Sequence, residues 1–283
     1  MSDGVPLRAL LEAGRRRLLE ADAADAAREA AVIWALAFER RPGEALLEQD
    51  RAVAAADAER LTVLFDRRAR GEPLAYVAGR AGFRYLDLAV DRRALIPRPE
   101  TEGLVAGVLQ RVRQGTAFDV GTGTGCIALS LATEGGFERV VAVDQSADAL
   151  ALAERNRRES RRQVELIRGD LTTPFADGSA DALVSNPPYL SEAEYAALDP
   201  GVRDWEPALA LVSGADGLAA TGRLLDDGRR VVRPGGWIAL ELDASRAGRV
   251  GRMAAALGWQ DVSVESDLFG RERYLFARRS IAS

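Results

Sequence analysis

The spacing of apolar residues divides the chain into a helical part and a part in which strands alternate with helices. Up to about residue 75, apolar positions recur at helical intervals, and no run is typical of a strand. Pro42-Gly43 separates two of these predicted helices. A further helix that starts near Asp57 is expected to end at Gly71, with Pro73 beyond it. The pattern predicts a small N-terminal helical bundle.

The rest of the chain predicts an α/β sheet. Strands alternate with helical segments, which favours parallel strands. Four successive predicted strands end in polar or glycine-rich residues, and ligands of open α/β sheets bind at that edge. The predicted strands are 117–120, 139–143, 164–167, 182–185 and 237–242, followed by a hairpin of 262–264 and 274–277. The last of the single strands is expected to follow a turn at Pro234-Gly235-Gly236.

A short connector joins the two parts. Residues 83–90 alternate in a way that indicates a hairpin or an extended bridge. Pro97 and Pro99 stiffen the segment that follows, and Glu100 and Glu102 suit the first turn of a helix. We therefore expect a helical domain at 1–78, a connector at 79–98 and an α/β domain at 99–283.

A glycine-rich loop follows the first predicted strand of the α/β part. Asp119 near the strand end precedes Gly121-Thr122-Gly123-Thr124-Gly125, and a helix is predicted at 127–132. Alternate glycines let a ligand approach the backbone, and the helix start offers unpaired N–H groups. A dinucleotide-binding fingerprint would need its third glycine at Cys126. The spacing resembles instead the cofactor loop of class I S-adenosylmethionine methyltransferases.

The next two strand ends supply further candidate ligand contacts. Asp144 lies 23 residues beyond Gly121, close to the spacing of about 20 residues at which such a carboxylate meets ribose hydroxyls. A solvated acid at a strand end is the alternative interpretation. Ser146 is expected to cap the following helix. Asp170 and Leu171 follow the third strand, where they could hydrogen-bond and flank an adenine.

Asn186-Pro187-Pro188-Tyr189 follows the fourth strand and forms a stiff corner rich in hydrogen-bond acceptors. The Asn186 oxygen and the Pro187 carbonyl could accept the two hydrogens of a planar NH2 group, with the Tyr189 ring against its plane. A proline-stiffened turn without chemistry is the alternative. The cofactor loop upstream favours the chemical interpretation.

Composition excludes several classes of function. The net charge of −5 argues against a broad basic surface for nucleic acid. The chain has no histidine, which excludes Ser-His and Cys-His catalysis and histidine metal sites, and we expect no metal. Cys126 is the only cysteine and is expected to pack at a helix start. Without a signal peptide or an apolar run long enough to span a bilayer, the chain is expected in the cytoplasm.

Taken together, the motifs resemble, nearly end to end, the HemK/PrmC family of protein-glutamine N-methyltransferases. The resemblance is carried by 96–102, 119–125, 184–189 and Glu206-Pro207 with 209–211. It implies a class I S-adenosylmethionine methyltransferase, with a Rossmann-like, mostly parallel sheet, an antiparallel C-terminal strand and an N-terminal helical bundle. After the fifth strand this chain reads Glu-Leu-Asp-Ala-Ser-Arg at 241–246, where the family usually continues Glu-Ile-Gly with a Gln soon after.

The resemblance also implies a reaction and its residues. S-adenosylmethionine would donate a methyl group to the glutamine amide of the Gly-Gly-Gln loop of a peptide chain release factor, leaving S-adenosylhomocysteine. The helical domain would help to dock that protein, and the enzyme would act as a monomer without binding nucleic acid or membrane. The implied cofactor residues are Asp119, Gly121, Thr122, Gly123, Thr124, Gly125, Asp144, Asp170, Leu171 and Asn186. The implied substrate residues are Asn186, Pro187, Pro188 and Tyr189, with Asn186, Pro187 and Tyr189 as catalytic.

Three alternatives stay open from the sequence. A nucleic-acid methyltransferase acting on adenine or guanine amines would use the same corner, but it would need base flipping and a basic groove. A related family that acts on a ribosomal protein shares Asn-Pro-Pro-Tyr but has a different connector. A non-catalytic cofactor-binding protein would need the glycine loop and not the corner.

Overall fold

The computed structural model describes residues 4–281. Its helices are α1 (Leu7–Glu20), α2 (Ala26–Ala37), α3 (Glu44–Leu47), α4 (Ala55–Ala69), α5 (Leu74–Ala78), α6 (Pro99–Arg111), α7 (Cys126–Glu134), α8 (Ala147–Ser160), α9 (Glu192–Ala196), α10 (Pro200–Arg203), α11 (Ala219–Val231) and α12 (Ala247–Ala256), with a short 3-10 helix at Ala208–Ala210. Its strands are β1 (Val5–Pro6), β2 (Ala52–Val53), β3 (Arg80–Phe83), β4 (Leu86–Ala89), β5 (Thr116–Val120), β6 (Arg139–Asp144), β7 (Glu165–Arg168), β8 (Ala180–Ser185), β9 (Val232–Glu241), β10 (Gln260–Ser266) and β11 (Glu272–Arg278).

The first of two compact units contains the residues up to Arg80 together with Asp199–Trp205. It is a helical bundle in which α1, α2 and α4 bury Leu18, Ile33 and Phe65. The prediction that this region has no strand is wrong for β1 and β2, which pair antiparallel over two residues. Asp199–Trp205 lies far along the chain from the bundle, and no pattern in the sequence indicated that it belongs to this unit.

The second unit, 81–198 with Glu206 onward, is built on a seven-stranded sheet. The strand order is β10-β11-β9-β8-β5-β6-β7, and neighbouring strands from β9 to β7 are parallel. β11 runs antiparallel to both of its neighbours, so the predicted C-terminal hairpin is confirmed. The predicted class I methyltransferase fold is therefore confirmed as well.

Apolar side chains cover both faces of this sheet. Alternate strand residues point to opposite faces, so Phe118 and Leu183 lie in one cluster while Ala117 and Ala182 lie in the other. Helices α11 and α12 cover the first face, and α6 and α7 cover the second. The sheet is thus the middle layer of three, which leaves its strand ends for the site.

Two details of the second unit differ from or sharpen the prediction. The expected turn at Pro234-Gly235-Gly236 lies inside β9, where a bulge separates the Ala180–Val232 and Ala182–Trp237 pairs. Gly235 accommodates the irregularity with a φ of +81°, a conformation that favours glycine. β3 and β4 form a two-stranded sheet, so of the two predictions for 83–90 the hairpin is the correct one, although it begins at Arg80. No helix within 4–281 is long and apolar enough to cross a membrane.

Candidate active site

A cavity of about 320 Å³ lies at the carboxyl ends of β5 to β8. Its volume is in the range of small-molecule sites. Most of the sequence-predicted residues line it, namely Gly121, Thr122, Gly123, Thr124, Asp144, Asp170, Leu171, Asn186 and Pro188. Asp119, Gly125, Pro187 and Tyr189 are not among its lining residues. The residues that follow four separate strands thus line a single cavity.

The glycine loop is held in place by its own backbone. The N–H groups of Gly121 and Thr122 both donate to the Val143 carbonyl, over 2.8 and 3.0 Å. Gly121, Gly123 and Gly125 all have positive φ, so each adopts a conformation that disfavours other residues. Apart from Gly121 and its two chain neighbours, no atom of residues 4–281 lies within 4 Å of the position that a Cβ on Gly121 would take. The loop therefore leaves open space beside its backbone, on the wall of the cavity.

Asp119 lies behind this loop. Its side chain is completely buried, and Oδ2 accepts from the Thr122 hydroxyl (2.6 Å) and the Ala128 N–H (3.0 Å). Oδ1 has no hydrogen-bond partner among the described residues. Burial raises the pKa of Asp119 to about 7, although these two hydrogen bonds oppose the shift. Asp119 thus ties the loop to the start of α7.

Asp144 lies on the cavity wall with both carboxylate oxygens partly engaged. Oδ2 accepts from the Gly123 N–H and Oδ1 from the Ser146 N–H, each over 2.9 Å. Ser146 in turn caps α8 by accepting from the Ala149 N–H, as its sequence position predicted. A carboxylate offers about four acceptor sites. Both oxygens of Asp144 can therefore accept another hydrogen, which suits a pair of neighbouring hydroxyls.

Asp170 and Leu171 lie on the wall beyond Asp144. The Asp170 carboxylate pairs with the Arg223 guanidinium over 2.7 Å, and both side chains are more than half exposed. Leu171 has a φ of +46°, which is uncommon for a non-glycine residue. The pair places a charged edge beside the apolar Leu171 side chain. A carboxylate next to an apolar side chain can hydrogen-bond the edge of a flat heteroaromatic ring while the apolar side chain packs on its face.

Asn186 is joined to two residues from distant parts of the chain. Its Nδ2 donates to Thr101 Oγ1 over 3.1 Å, and Thr101 Oγ1 donates to Glu241 Oε2 over 2.7 Å. Just before the corner, the Ser185 hydroxyl donates to the Val120 carbonyl over 2.6 Å. Within 4–281 no hydrogen bond reaches Asn186 Oδ1. The corner therefore presents an acceptor oxygen.

Two titratable groups at this corner have raised pKa values: Tyr189, which is part of it, and Glu241, which is joined to it through Thr101. Burial raises the pKa of Glu241 to about 7, with the hydrogen bond from Thr101 and the charges of Arg273 and Arg98 acting against it. Burial, and then the charge of Glu241, raise the pKa of the Tyr189 phenol to about 12. Tyr189 is therefore a neutral phenol near pH 7, while Glu241 titrates there.

Sequence reasoning missed two walls of the cavity. The segments 93–98 and 207–214 line it, and Glu206 joins them. Glu206 Oε1 accepts from the Arg98 guanidinium over 2.5 Å, and Oε2 accepts from the Ile96 N–H over 3.3 Å. Only 1% of the Glu206 side chain is exposed. The sequence motifs that contain Arg98 and Glu206 carry the family resemblance but do not indicate that the two side chains meet. Their occurrence as motifs was the one sequence signal for these walls.

Asn156 is a second residue that the sequence did not single out. Its side chain is buried in α8 and accepts from the Ala89 N–H over 2.7 Å. Its Nδ2 donates to the Ala89 and Thr124 carbonyls over 3.0 and 2.9 Å. Asn156 therefore links the glycine loop to the β3–β4 segment. No local pattern marks a helix residue for such a role.

Cys126 begins α7 and is buried at the cavity wall. Desolvation raises the pKa of its thiol to about 12. A thiol in this state is a poor nucleophile, because the thiolate is the reactive form. The burial agrees with the prediction of a small residue packed at a helix start. Among the residues 4–281, no group of three metal-binding side chains is placed to hold a metal ion.

The chemistry of the cavity fits S-adenosylmethionine, the cofactor that the sequence resemblance implies. Gly121 has no Cβ to occupy the space beside the loop. Asp144 has acceptor capacity left for ribose hydroxyls, and Asp170 lies beside an apolar wall. The space beside the loop backbone, the free acceptor sites and the apolar wall suit, in that order, the methionine part, the ribose and the adenine of that molecule.

Comparisons with known families and folds agree with this architecture. The family model described as "Methyltransferase small domain" matches residues 101–199, and the "PrmC N-terminal domain" model matches residues 9–79. A crystal structure of a methyltransferase from Pyrococcus furiosus superimposes with a TM-score of 0.54, covering 79% of this chain and 98% of that one. At 19% sequence identity this similarity establishes the fold alone.

Several relatives align over most of the chain. A release factor glutamine methyltransferase from Nitratidesulfovibrio vulgaris is 41% identical over 283 residues, covering 97% of this chain and 96% of the relative. One from Moorella thermoacetica is 41% identical over 252 residues, covering 87% and 88%. Identity of this extent confirms the resemblance drawn from the motifs: the chain is an enzyme that belongs to the release factor glutamine methyltransferase family.

Proposed function

We propose that this enzyme methylates the side-chain amide nitrogen of the glutamine in the Gly-Gly-Gln motif of peptide chain release factors. The orientation of Asn186 carries the proposal. Its Nδ2 is bonded to Thr101, while its Oδ1 has no hydrogen bond within 4–281 and is available to a substrate N–H. A primary amide is a substrate that needs such an acceptor. The names of the relatives supply the class of protein that carries it.

S-adenosylmethionine, when bound, supplies an electrophilic methyl group. In the proposal, Gly121 to Thr124 approach its methionine part, Asp144 accepts from the ribose hydroxyls, and Asp170 with Leu171 holds the adenine. Asp119 and Gly125 do not line the cavity, so they would act by shaping the glycine loop. Asp119 does so through its bonds to Thr122 and Ala128.

The glutamine amide is held by both of its hydrogens in the proposed mechanism. Asn186 Oδ1 accepts one hydrogen and the Pro187 carbonyl accepts the other, while Pro188 and the Tyr189 ring restrict the amide plane. Held in this way, the nitrogen lone pair turns out of conjugation and faces the cofactor side of the cavity. Positioning and the acceptor oxygens then stabilise the charge that develops on nitrogen. The methylated amide loses its proton to water, and no general base is required.

We also propose that the N-terminal bundle, 1–78, docks the release factor. The match of residues 9–79 to the PrmC N-terminal domain supports this assignment. Leu46 and Leu47 are 74% and 86% exposed on this unit, and Val63 is 52% exposed, so apolar side chains are available for a protein partner. The proposed enzyme acts as a monomer in the cytoplasm.

The test is transfer of labelled methyl groups from S-adenosylmethionine to a purified release factor. The matched control is the same factor with the Gly-Gly-Gln glutamine changed to alanine. Label on the intact factor alone supports the proposal. Label on duplex DNA, on RNA or on a ribosomal protein, each tested in parallel, would contradict it and identify the substrate class instead.

A further inference from the structure

A chain of three side chains runs from the acceptor corner to the end of β9. Asn186 follows β8, Thr101 lies in the first turn of α6, and Glu241 is the last residue of β9. The hydrogen bonds that join them measure 3.1 Å from Asn186 to Thr101 and 2.7 Å from Thr101 to Glu241. We call this arrangement the Glu241–Thr101–Asn186 relay.

The number of hydrogens available in the relay determines which group donates in each of its hydrogen bonds. A threonine hydroxyl has one hydrogen, and an ionised carboxylate has none. When Glu241 is ionised, the Thr101 hydrogen goes to Glu241, and Thr101 Oγ1 can only accept from Asn186. A reversed Asn186 amide would place its oxygen against Thr101 Oγ1 with no hydrogen between them. Nδ2 therefore faces Thr101, and Oδ1 is left for the cavity.

We propose that Glu241 and Thr101 are positioning residues that hold the Asn186 amide in the orientation that accepts a hydrogen from the substrate NH2 group. The inference rests on the proposed function, because only a donor substrate needs an acceptor at this place. Both residues act through Asn186 and not on the reacting nitrogen. Their hydrogen bonds keep the corner ready for an amide and unfavourable to a group that presents only acceptors.

Burial makes the loss of any hydrogen bond in the relay costly. Thr101 is 2% exposed and Glu241 is 1% exposed, so water cannot readily replace a lost partner. If Glu241 is protonated, its hydrogen can go to Thr101, and the Thr101 hydrogen can then go to the oxygen of a reversed Asn186. Because burial raises the pKa of Glu241 to about 7, this change falls near neutral pH. The preference for the accepting orientation is thus strongest well above pH 7, where Glu241 is ionised, and weakens as the pH falls through about 7.

Other charged and titratable groups around Glu241 come from the elements packed on it. Arg273 of β11 and Arg98 ahead of α6 favour the carboxylate, and Glu100 of α6 disfavours it. Tyr189, Tyr274 and Cys126 interact with the Glu241 charge and have pKa values raised to about 12, so they stay neutral near pH 7. Glu241 is therefore the member of this group expected to titrate there.

The chain offers a simple way to observe the amide directly, because Asn156 and Asn186 are its only asparagines. Labelling asparagine side chains with 15N should give two NH2 signals in an NMR spectrum. Asn156 is the internal reference, since its Nδ2 is bonded to two backbone carbonyls. We expect the Asn186 signals to shift with a midpoint near pH 7 and the Asn156 signals to stay constant. Glu241→Gln should abolish the Asn186 titration.

This measurement needs no substrate, so its outcome is independent of the proposed function. Asn186 signals that do not titrate, or that titrate unchanged in Glu241→Gln, would overturn the relay. If the relay is observed but the wild-type enzyme transfers no methyl group to a release factor, the proposed function fails instead.

Kinetics then separate positioning from a purely structural role. Thr101→Val removes the hydroxyl and should lower kcat/KM for the release factor about 10- to 100-fold, while cofactor affinity changes little. Thr101→Ser restores a hydroxyl and should recover most of that loss. Thr221→Val is the matched control, because Thr221 is equally buried in α11 and its Oγ1 has no partner among the described residues. A similar loss in Thr221→Val, or no recovery in Thr101→Ser, would contradict the inference.

The pH profile supplies the last readout. Wild-type kcat/KM should rise with pH through about 7, and Glu241→Gln should have low activity without that rise. A rise that persists unchanged in Glu241→Gln belongs to another group and would overturn the assignment of the titration to Glu241.

Discussion

The two sides of the cavity are built in different ways. On the cofactor side, Gly121 and Thr122 are fixed by backbone hydrogen bonds to Val143 on the neighbouring strand. On the acceptor side, Asn186 is fixed by the side chain of Thr101, 85 positions earlier in the chain, and Thr101 is bonded in turn to Glu241, 140 positions after Thr101. The first side depends on the absence of side chains, and the second depends on single polar atoms.

This difference indicates how each side should fail. A backbone-built loop tolerates changes in its neighbours but not a Cβ at a glycine with positive φ, since that residue sets both the conformation and the space. A corner built from side chains tolerates small changes in shape but loses function when one donor or acceptor is removed. Cofactor binding and methyl transfer should therefore respond to separate substitutions.

The largest effect is expected for Asn186→Ala. The substitution removes the acceptor oxygen, so methyl transfer to the release factor should fall by about 100-fold or more. Cofactor binding should be weakened but not lost, because Asp144 and the glycine loop stay in place. Single-turnover transfer and calorimetric titration with S-adenosylmethionine measure the two quantities. Near-normal turnover would refute the proposed role of Asn186 and remove the distinction between the two sides.

Gly121→Ala tests the cofactor side, where the substitution should weaken cofactor binding directly. With a φ of +73° and open space around its Cβ position, the new methyl group would project beside the loop. We expect S-adenosylmethionine affinity to fall about tenfold or more and stability to fall by about 1 kcal/mol. The stability cost arises because alanine disfavours this conformation.

Gly178→Ala is the matched control for that substitution. Gly178 has a φ of +60°, also has no atom within 4 Å of its Cβ position, and does not line the cavity. It should show a similar loss of stability with unchanged cofactor affinity. Equal cofactor affinities in the two variants would mean that the space beside Gly121 is not used.

The same difference explains which features the sequence could predict. The sheet, the cap at Ser146, the acidic first turn of α6 with Glu100, and the glycine loop arise from contiguous residues, so periodicity and spacing indicate them. The turn expected at Pro234-Gly235-Gly236 was wrong because pairing with β8 incorporates these residues into β9 as a bulge. Local turn signals cannot report the pairing of a neighbouring strand.

The site residues that the sequence missed act through tertiary contacts. The sequence predicts Glu100 and Glu102 only as acids of a first helical turn, while Thr101 between them carries the bond to Asn186. Glu241 stands at the start of a stretch that departs from the family pattern, and no site role was assigned to it. The Glu206 carboxylate joins two cavity walls, which requires the folded positions of both. Sequence spacing predicts which residues follow the strands at the site, but it does not predict which side chains from distant segments contact each other there.

Asp119 allows a smaller, pH-dependent test of the cofactor side. Burial raises its pKa from 3.8 to about 7 in the folded protein. Below about pH 4 both states are protonated, and between pH 4 and 7 the folded state keeps a proton that the unfolded state releases. The Asp119 contribution therefore lowers the free energy of unfolding as the pH rises through this window, by a few kcal/mol at most, and is constant above it.

Asp119→Asn should remove this contribution. Urea unfolding of both proteins between pH 4.5 and 8 gives the difference, which excludes the other carboxylates because they are common to both. We expect the wild type to lose stability relative to the variant as the pH rises to 7. A constant difference would mean that Asp119 is ionised throughout and that its unpartnered Oδ1 has a partner in solution.

The smallest effect is expected for Tyr189→Phe on the acceptor side. Within 4–281 no hydrogen bond involves the Tyr189 hydroxyl, and burial keeps the phenol neutral near pH 7. If the ring restricts the substrate amide, the variant should lose less than about threefold in kcat/KM, since no bonded polar atom is removed. Tyr189→Ala, which removes the ring, is the comparison and should lose far more. A collapse of activity in Tyr189→Phe would instead assign the role to the hydroxyl, and the acceptor side would then depend on a polar atom outside the relay.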